Sequence, residues 1–145
     1  LKALNLLDTQ LKEKHIDILV QTPSDIPKAY CDASQIERVF INLVNNAMKF
    51  TSNNGKISIN ASQTDGLIQI DVSDDGIGID ESDLDLIFEE FYRIDNPINA
   101  ETRGTGLGLP LVKHIIEAHN GRIWVKSATN QGSKFSFTLP IFKNV

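Results

Sequence analysis

The chain has 145 residues, 41% of them hydrophobic, enough for a single compact domain (1–145) with a sizeable core. Its net charge of −5 argues against general nucleic-acid binding, which relies on clustered lysine and arginine. No apolar run approaches the ~18 residues of a membrane span, and the single cysteine, Cys31, excludes an internal disulfide and suits the reducing cytoplasm.

Leu4, Leu7 and Leu11 recur at helical spacing, so residues 1–14 read as a helix. Ile16–Val20 read as a first strand, and the Pro23/Pro27 stretch as a loop. Asp32, with Gln35 three residues on, suits a helix start in which each side chain satisfies a free backbone donor. The helix that follows carries Ile36, Val39, Phe40, Leu43, Val44 and Ala47, the stripe of one buried face. Lys56–Ser62 and Leu67–Ser73 alternate with period two around Asp65-Gly66, an antiparallel hairpin. A polar loop follows from Arg93 to Arg103. Leu107, Leu111, Val112, Ile115 and Ile116 mark a further helix closed by Asn120-Gly121, and Arg122–Lys126 and Lys134–Leu139 complete the strands. Helices on one face of a mixed, mostly antiparallel sheet give an α+β two-layer sandwich.

Three segments carry chemistry. On the helix after Asp32, Asn42, Asn46 and Lys49 share one strip beside the apolar stripe. Asparagine is a poor helix former, so its repetition at 42, 45 and 46 breaks a local rule, as functional sites do. A solvated polar face is the plain alternative, and Asn45 points away from the strip. Asn46 can offer a neutral oxygen to Mg²⁺, Lys49 is a compact charge for phosphate, and Phe50 could lie against a base.

The second segment is Asp74-Asp75-Gly76-Ile77-Gly78-Ile79, at a strand end. A carboxylate there can accept from an exocyclic amine, and glycines let backbone approach a planar ring. An acidic turn after a hairpin is the common alternative, while a calcium loop fails on spacing. The third is Gly104-Thr105-Gly106-Leu107-Gly108-Leu109, whose following helix offers free N-terminal amides to phosphate. It lacks the Gly-Lys-Ser/Thr ending of lysine-bearing phosphate loops and the third glycine of dinucleotide folds. Taken alone, it could be a loop with no ligand.

The order and spacing of the three resemble the catalytic and ATP-binding domain of sensor histidine kinases, in the gyrase, histidine-kinase and MutL-type ATPase superfamily (the Bergerat fold). The resemblance makes Asn46 the magnesium ligand and Asp74 the adenine contact, with Gly76, Gly78 and Ile79 around the base. Asp75 falls on a variable position. Phe88-Glu89-Glu90-Phe91-Tyr92-Arg93 matches the family's phenylalanine-rich box. Arg93, and more weakly Arg103, become candidates for the terminal phosphate, and residues 94–103 become the ATP lid. Pro110 departs from the more frequent alanine, so the helix should start no earlier than about Leu107.

The resemblance implies ATP and Mg²⁺ as cofactors, Asn46, Lys49 and Arg93 as the catalytic set, and a phosphoryl transfer to a histidine. None of His15, His114 and His119 has the expected acceptor setting. The acceptor is therefore expected on a dimerisation hairpin upstream of Leu1, which also serves a response regulator. The chain is accordingly expected to be a piece of a longer protein, with no membrane contact of its own. The rivals are a same-fold serine kinase, a conformational ATPase with Glu37 as the nearest water-activating candidate, and a non-catalytic nucleotide-binding module.

Overall fold

The computed structural model describes residues 2–95 and 108–143. In chain order these form α1 (Lys2–Glu13), β1 (Asp17–Gln21), α2 (Ala33–Phe50), β2 (Lys56–Thr64), β3 (Leu67–Asp74), a short 3-10 turn (Glu81–Asp83), α3 (Gly108–Ala118), β4 (Ile123–Ser127) and β5 (Ser133–Pro140). The sheet has five strands in the order β1-β2-β3-β5-β4. Only β1 and β2 pair in parallel, which requires a crossover between them, and α2 supplies it. The expected α+β sandwich is the observed one; β2, β3 and β5 run one or two residues longer than their periodicity marked, and β1 and β4 are shifted by one residue.

The α1 stripe buries Leu7 and Leu11, each 4% exposed, against the core. The helix closes in a left-handed turn at His15 (φ 54), with the amides of His15 and Ile16 returning to the Lys12 and Leu11 carbonyls. The α2 stripe buries Ile36, Val39, Phe40, Leu43, Val44, Ala47 and Met48. Facing it are Ile57, Ile59, Ile70 and Val72, with Phe137 meeting Phe40 edge-on at 5.7 Å. Phe135, Phe137 and Leu139 point into this core as the alternation predicts. Ser136 and Thr138 are buried too, at 0% and 8% exposure, which the alternation does not predict. Ser136 satisfies its hydroxyl on the open face by donating to Asp71 Oδ1 at 2.5 Å.

The start of α2 corrects one expectation. Asp32 is the cap, its Oδ1 accepting from the Ser34 and Gln35 amides at 3.0 and 3.2 Å. No reciprocal bond comes from the Gln35 side chain. The Asp32 amide instead donates to His119 Nε2 at 3.0 Å, while His119 Nδ1 lies 2.7 Å from the Ile115 carbonyl. The ring is therefore protonated at Nδ1, donating there and accepting at Nε2. His119 is half-buried and joins the end of α3 to the start of α2, so it is a structural joint.

Candidate nucleotide-binding site

The strip on α2 forms as its spacing requires, since residues one turn apart share a face. Asn42, Asn46, Lys49 and Phe50 are all half-buried, whereas Asn45 is exposed. Asn42 uses its amide on the Arg38 carbonyl at 2.9 Å, leaving its oxygen toward the first residue of α3: a Cβ on Gly108 would lie 3.1 Å from Asn42 Oδ1. The described part of α3 begins at Gly108, so Pro110 sits in the first turn, where its missing amide costs no intrahelical bond. Leu109 is half-buried beside it.

Lys49 holds its ammonium 5.2 Å from the centroid of the Phe50 ring. Burial, and then the charge of Arg93, pull the Lys49 pKa below its ordinary value. Two cations from separate elements thus come within electrostatic reach of each other. Arg93 ends a segment in which Phe91 is 70% exposed and Tyr92 donates its hydroxyl to Asp83 Oδ1. Arg103, Gly104, Thr105, Gly106 and Leu107, together with residues 96–102 of the expected lid, lie outside the described residues.

The turn after β3 is held from several sides. The Gly76 amide donates to Asp74 Oδ1 at 2.9 Å, and the Ile77 amide to the Phe50 carbonyl at 3.2 Å. The amides of Asn130 and Gly132, from the β4–β5 connection, donate to the Ile77 and Gly76 carbonyls at 2.6 and 3.0 Å. Ser127 Oγ accepts from the Ile79 amide and donates to the Gly132 carbonyl, each at 2.7 Å. Both glycines are required by neighbouring backbone: a Cβ on Gly76 would meet the Phe50 carbonyl oxygen at 2.2 Å. One on Gly78, at φ +72, would meet that of Ala128 at 1.9 Å. Ile79 is 8% exposed and belongs to the core, so it backs the turn.

Burial raises the Asp74 pKa above the ordinary carboxylate value, the amides of Gly76 and Ser133 oppose that rise, and nearby Asp75 adds to it. Asp75 itself is exposed and accepts from the Lys56 amide at 3.0 Å, in keeping with a structural part. Asp74 also borders a concavity of about 400 Å³, shared with Ser127 and Ser133 among others. Sequence reasoning missed Ser127, Gly132 and Ser133. Their signal was a small-residue cluster flanking a turn, which looks like any hairpin connection.

The donor set sets limits on a metal. Among the described residues no group of three or more histidine, cysteine or acidic side chains could hold one. Asn46 supplies a single neutral oxygen, so a magnesium ion fits here only when phosphate oxygens and waters complete its shell.

A half-buried asparagine–lysine strip, a half-buried aspartate in a clamped glycine turn and the first described turn of α3 facing Asn42 fit a nucleotide-binding ATPase fold. Residues 31–143 match the family of histidine kinase-, DNA gyrase B- and HSP90-like ATPases, and the chain belongs to it. It is 41% identical over 144 residues to the adaptive-response sensory kinase SasA of Gloeothece citriformis, covering 99% of this chain and 36% of SasA. The chain therefore spans about a third of the length of that curated relative. The catalytic domain of histidine kinase ThkA superposes with a TM-score of 0.83 at 32% identity, covering 97% of this chain and 88% of the other. A further ThkA structure holds the response regulator protein TrrA. Full-length ShkA in complex with AMPPNP superposes with a TM-score of 0.86 at 29% identity, over 99% of this chain and 29% of ShkA. Among the described residues no helix is long and apolar enough to cross a membrane.

Proposed function

We propose that this chain, as one domain over residues 1–145, binds Mg-ATP and presents the γ-phosphoryl group to a histidine on a separate helical hairpin, as the catalytic part of a two-component histidine kinase. The observation that carries the reading is the bond from the Ile77 amide to the Phe50 carbonyl. It joins the end of the asparagine helix to the aspartate turn, so a base reader and a phosphate-binding strip share one rigid unit. That is the separation of parts a nucleotide needs.

In this reading Asp74 accepts from the adenine amine, between Gly76, Gly78 and the wall formed by Ile79. Phe50 flanks the base. Asn46 gives the metal its protein oxygen, with Asn42 one turn earlier beside the start of α3. Bound magnesium neutralises phosphate charge and aligns the phosphate oxygens. Lys49 and Arg93 add the positive charge at the transferring group, with Arg103 as a further candidate. The amides of Gly104–Leu109 hold the phosphate tail at the helix start. The acceptor imidazole nitrogen forms a bond to the γ-phosphorus as the bond to the bridging oxygen breaks, and ADP leaves. The acceptor hairpin is assigned to the parent protein upstream of Leu1, a response regulator receives the phosphoryl group through that hairpin, and the domain works in the cytoplasm. SasA's name as a sensory kinase, AMPPNP on ShkA and TrrA on ThkA support the kinase, nucleotide and response-regulator parts of this reading.

The test separates binding from transfer. Titration of the isolated chain with Mg-ATP should release heat and raise its melting temperature, with about 2.7 kcal/mol of added stability at 100 times the dissociation constant. With radiolabelled ATP the chain should not label itself. Adding the parent's upstream hairpin as a separate polypeptide should produce acid-labile, base-stable phosphohistidine on that partner, and Asn46→Ala should abolish it. Single alanine replacements of His15 and His114 should leave transfer intact. Absence of any heat or stabilisation at millimolar Mg-ATP, or brisk hydrolysis without a partner, would overturn the assignment.

A further inference from the structure

Helices α1 and α3 close with left-handed residues of their own, His15 and Asn120, but α2 does not. Its last position leads into extended backbone at Thr51 (φ −93, ψ 134), so its final carbonyls lack the usual turn to satisfy them. They are met from another element. The Lys14 ammonium donates to the Met48 carbonyl and, at 3.1 Å, to the Thr51 carbonyl. A cation at that end also complements the helix dipole. The backbone reinforces the contact, because the Lys14 carbonyl accepts from the Asn54 amide at 3.1 Å.

We propose that Lys14 is a positioning residue of the nucleotide site, through which α1 sets the conformation of the last turn of α2. The two carbonyls it holds bracket Lys49 and Phe50. The Phe50 carbonyl in turn receives the Ile77 amide, so the same turn supports the Asp74 loop. A chain of direct bonds therefore runs from α1 through the end of α2 to the aspartate turn. Neither α1 nor Lys14 falls within residues 31–143, the part matched to the family. The link makes α1 a working part of the site rather than a packing element. The inference rests on the nucleotide-binding reading above and adds to it a residue that no motif contains.

The test compares three variants at a temperature where all are folded. Lys14→Met keeps an unbranched apolar stem and removes the donors, Lys14→Arg keeps charge and donors, and Leu4→Ala loosens the packing of α1 without touching these carbonyl bonds. Lys14→Met should raise the dissociation constant for Mg-ATP about tenfold, the size expected for losing a charge-assisted bond. Arginine should restore most of the affinity, and Leu4→Ala should leave it close to that of the unmodified chain. In the nucleotide-free chain, amide exchange at Thr51 and Ile77 should quicken in Lys14→Met and not in Leu4→Ala. Unchanged affinity in Lys14→Met, or equal losses in Lys14→Met and Leu4→Ala, would overturn the role of Lys14 while leaving nucleotide binding standing. An unmodified chain that does not bind Mg-ATP would instead overturn the nucleotide reading itself, and this role with it.

Discussion

The helix α2 and the turn from Asp74 to Ile79 face the same proposed ligand but are built in opposite ways. The helix carries its own cap at Asp32 and its own buried stripe, so Asn42, Asn46 and Lys49 ride on a frame they do not help to hold. The turn makes one internal bond, from the Gly76 amide to Asp74. Its other polar backbone contacts reach Phe50, Lys56, Ser127, Asn130 and Gly132, from α2, β2 and the β4–β5 region. Site residues on an element capped and packed without their help are free to be chosen for chemistry. On a borrowed scaffold, chemistry and folding compete for the same atoms.

Substitution at Gly78 should break the turn most severely. A Cβ there meets the Ala128 carbonyl oxygen at 1.9 Å and sits on a backbone at φ +72. Gly78→Ala should cost about 3 kcal/mol or more, read by chemical denaturation, because two backbones must part and the left-handed conformation adds strain. A loss under about 1 kcal/mol would show that the turn is not clamped as described.

Asp74→Asn sharpens the comparison by separating binding from stability. The raised pKa means the folded chain holds the proton more tightly than the unfolded one. The ionised carboxylate therefore opposes folding. That penalty is absent below the ordinary carboxylate value of 3.8, grows as pH rises above it, and is complete once pH has passed the raised folded value. The asparagine variant should thus be at least as stable as the parent at pH 7, and the difference should vanish in acid. Its affinity for ATP should nonetheless fall by about 1–3 kcal/mol, with GTP losing much less, since GTP has a carbonyl where ATP has an amine. Equal losses for both nucleotides in titration calorimetry would remove Asp74 as the base reader.

On α2 the outcome should reverse. Asn46→Ala replaces a poor helix former by the best one, so stability should rise by about 0.5 kcal/mol while the magnesium dependence of ATP binding is lost. A destabilised variant would mean that α2 does depend on its site residues. A comparably small stability effect, with no effect on the ligand, belongs to the end of α1. His15 occupies a left-handed position where glycine carries no Cβ penalty, so His15→Gly should stabilise by about 0.5–1 kcal/mol in thermal denaturation.

Legibility followed the same division. The α2 strip could be read from spacing because helical periodicity is local, and Asp65-Gly66 could be read as a hairpin turn because both residues take positive φ (49 and 76) there. Asp74 was legible by its place at a strand end. The clamp from Ser127, Asn130 and Gly132 was not, since those residues lie some fifty positions away and have no motif of their own. The same holds for His119, whose partners Asp32 and Ile115 belong to two helices, and for Gln35, whose expected bond gave way to it.

From its sequence alone this chain determined its main helices and strands, the buried stripes of α1 and α2 and the candidate ligand strip, because propensity, capping and periodicity act within a few residues. Tertiary structure alone decided which strand lies beside which, why Gly76 and Gly78 tolerate no side chain, and that Lys14 closes a helix begun nineteen positions after it. Those outcomes depend on backbone groups distant in sequence meeting at hydrogen-bond distance. Each such carbonyl or amide is chemically the same at every residue, so no residue type announces the partner it will find.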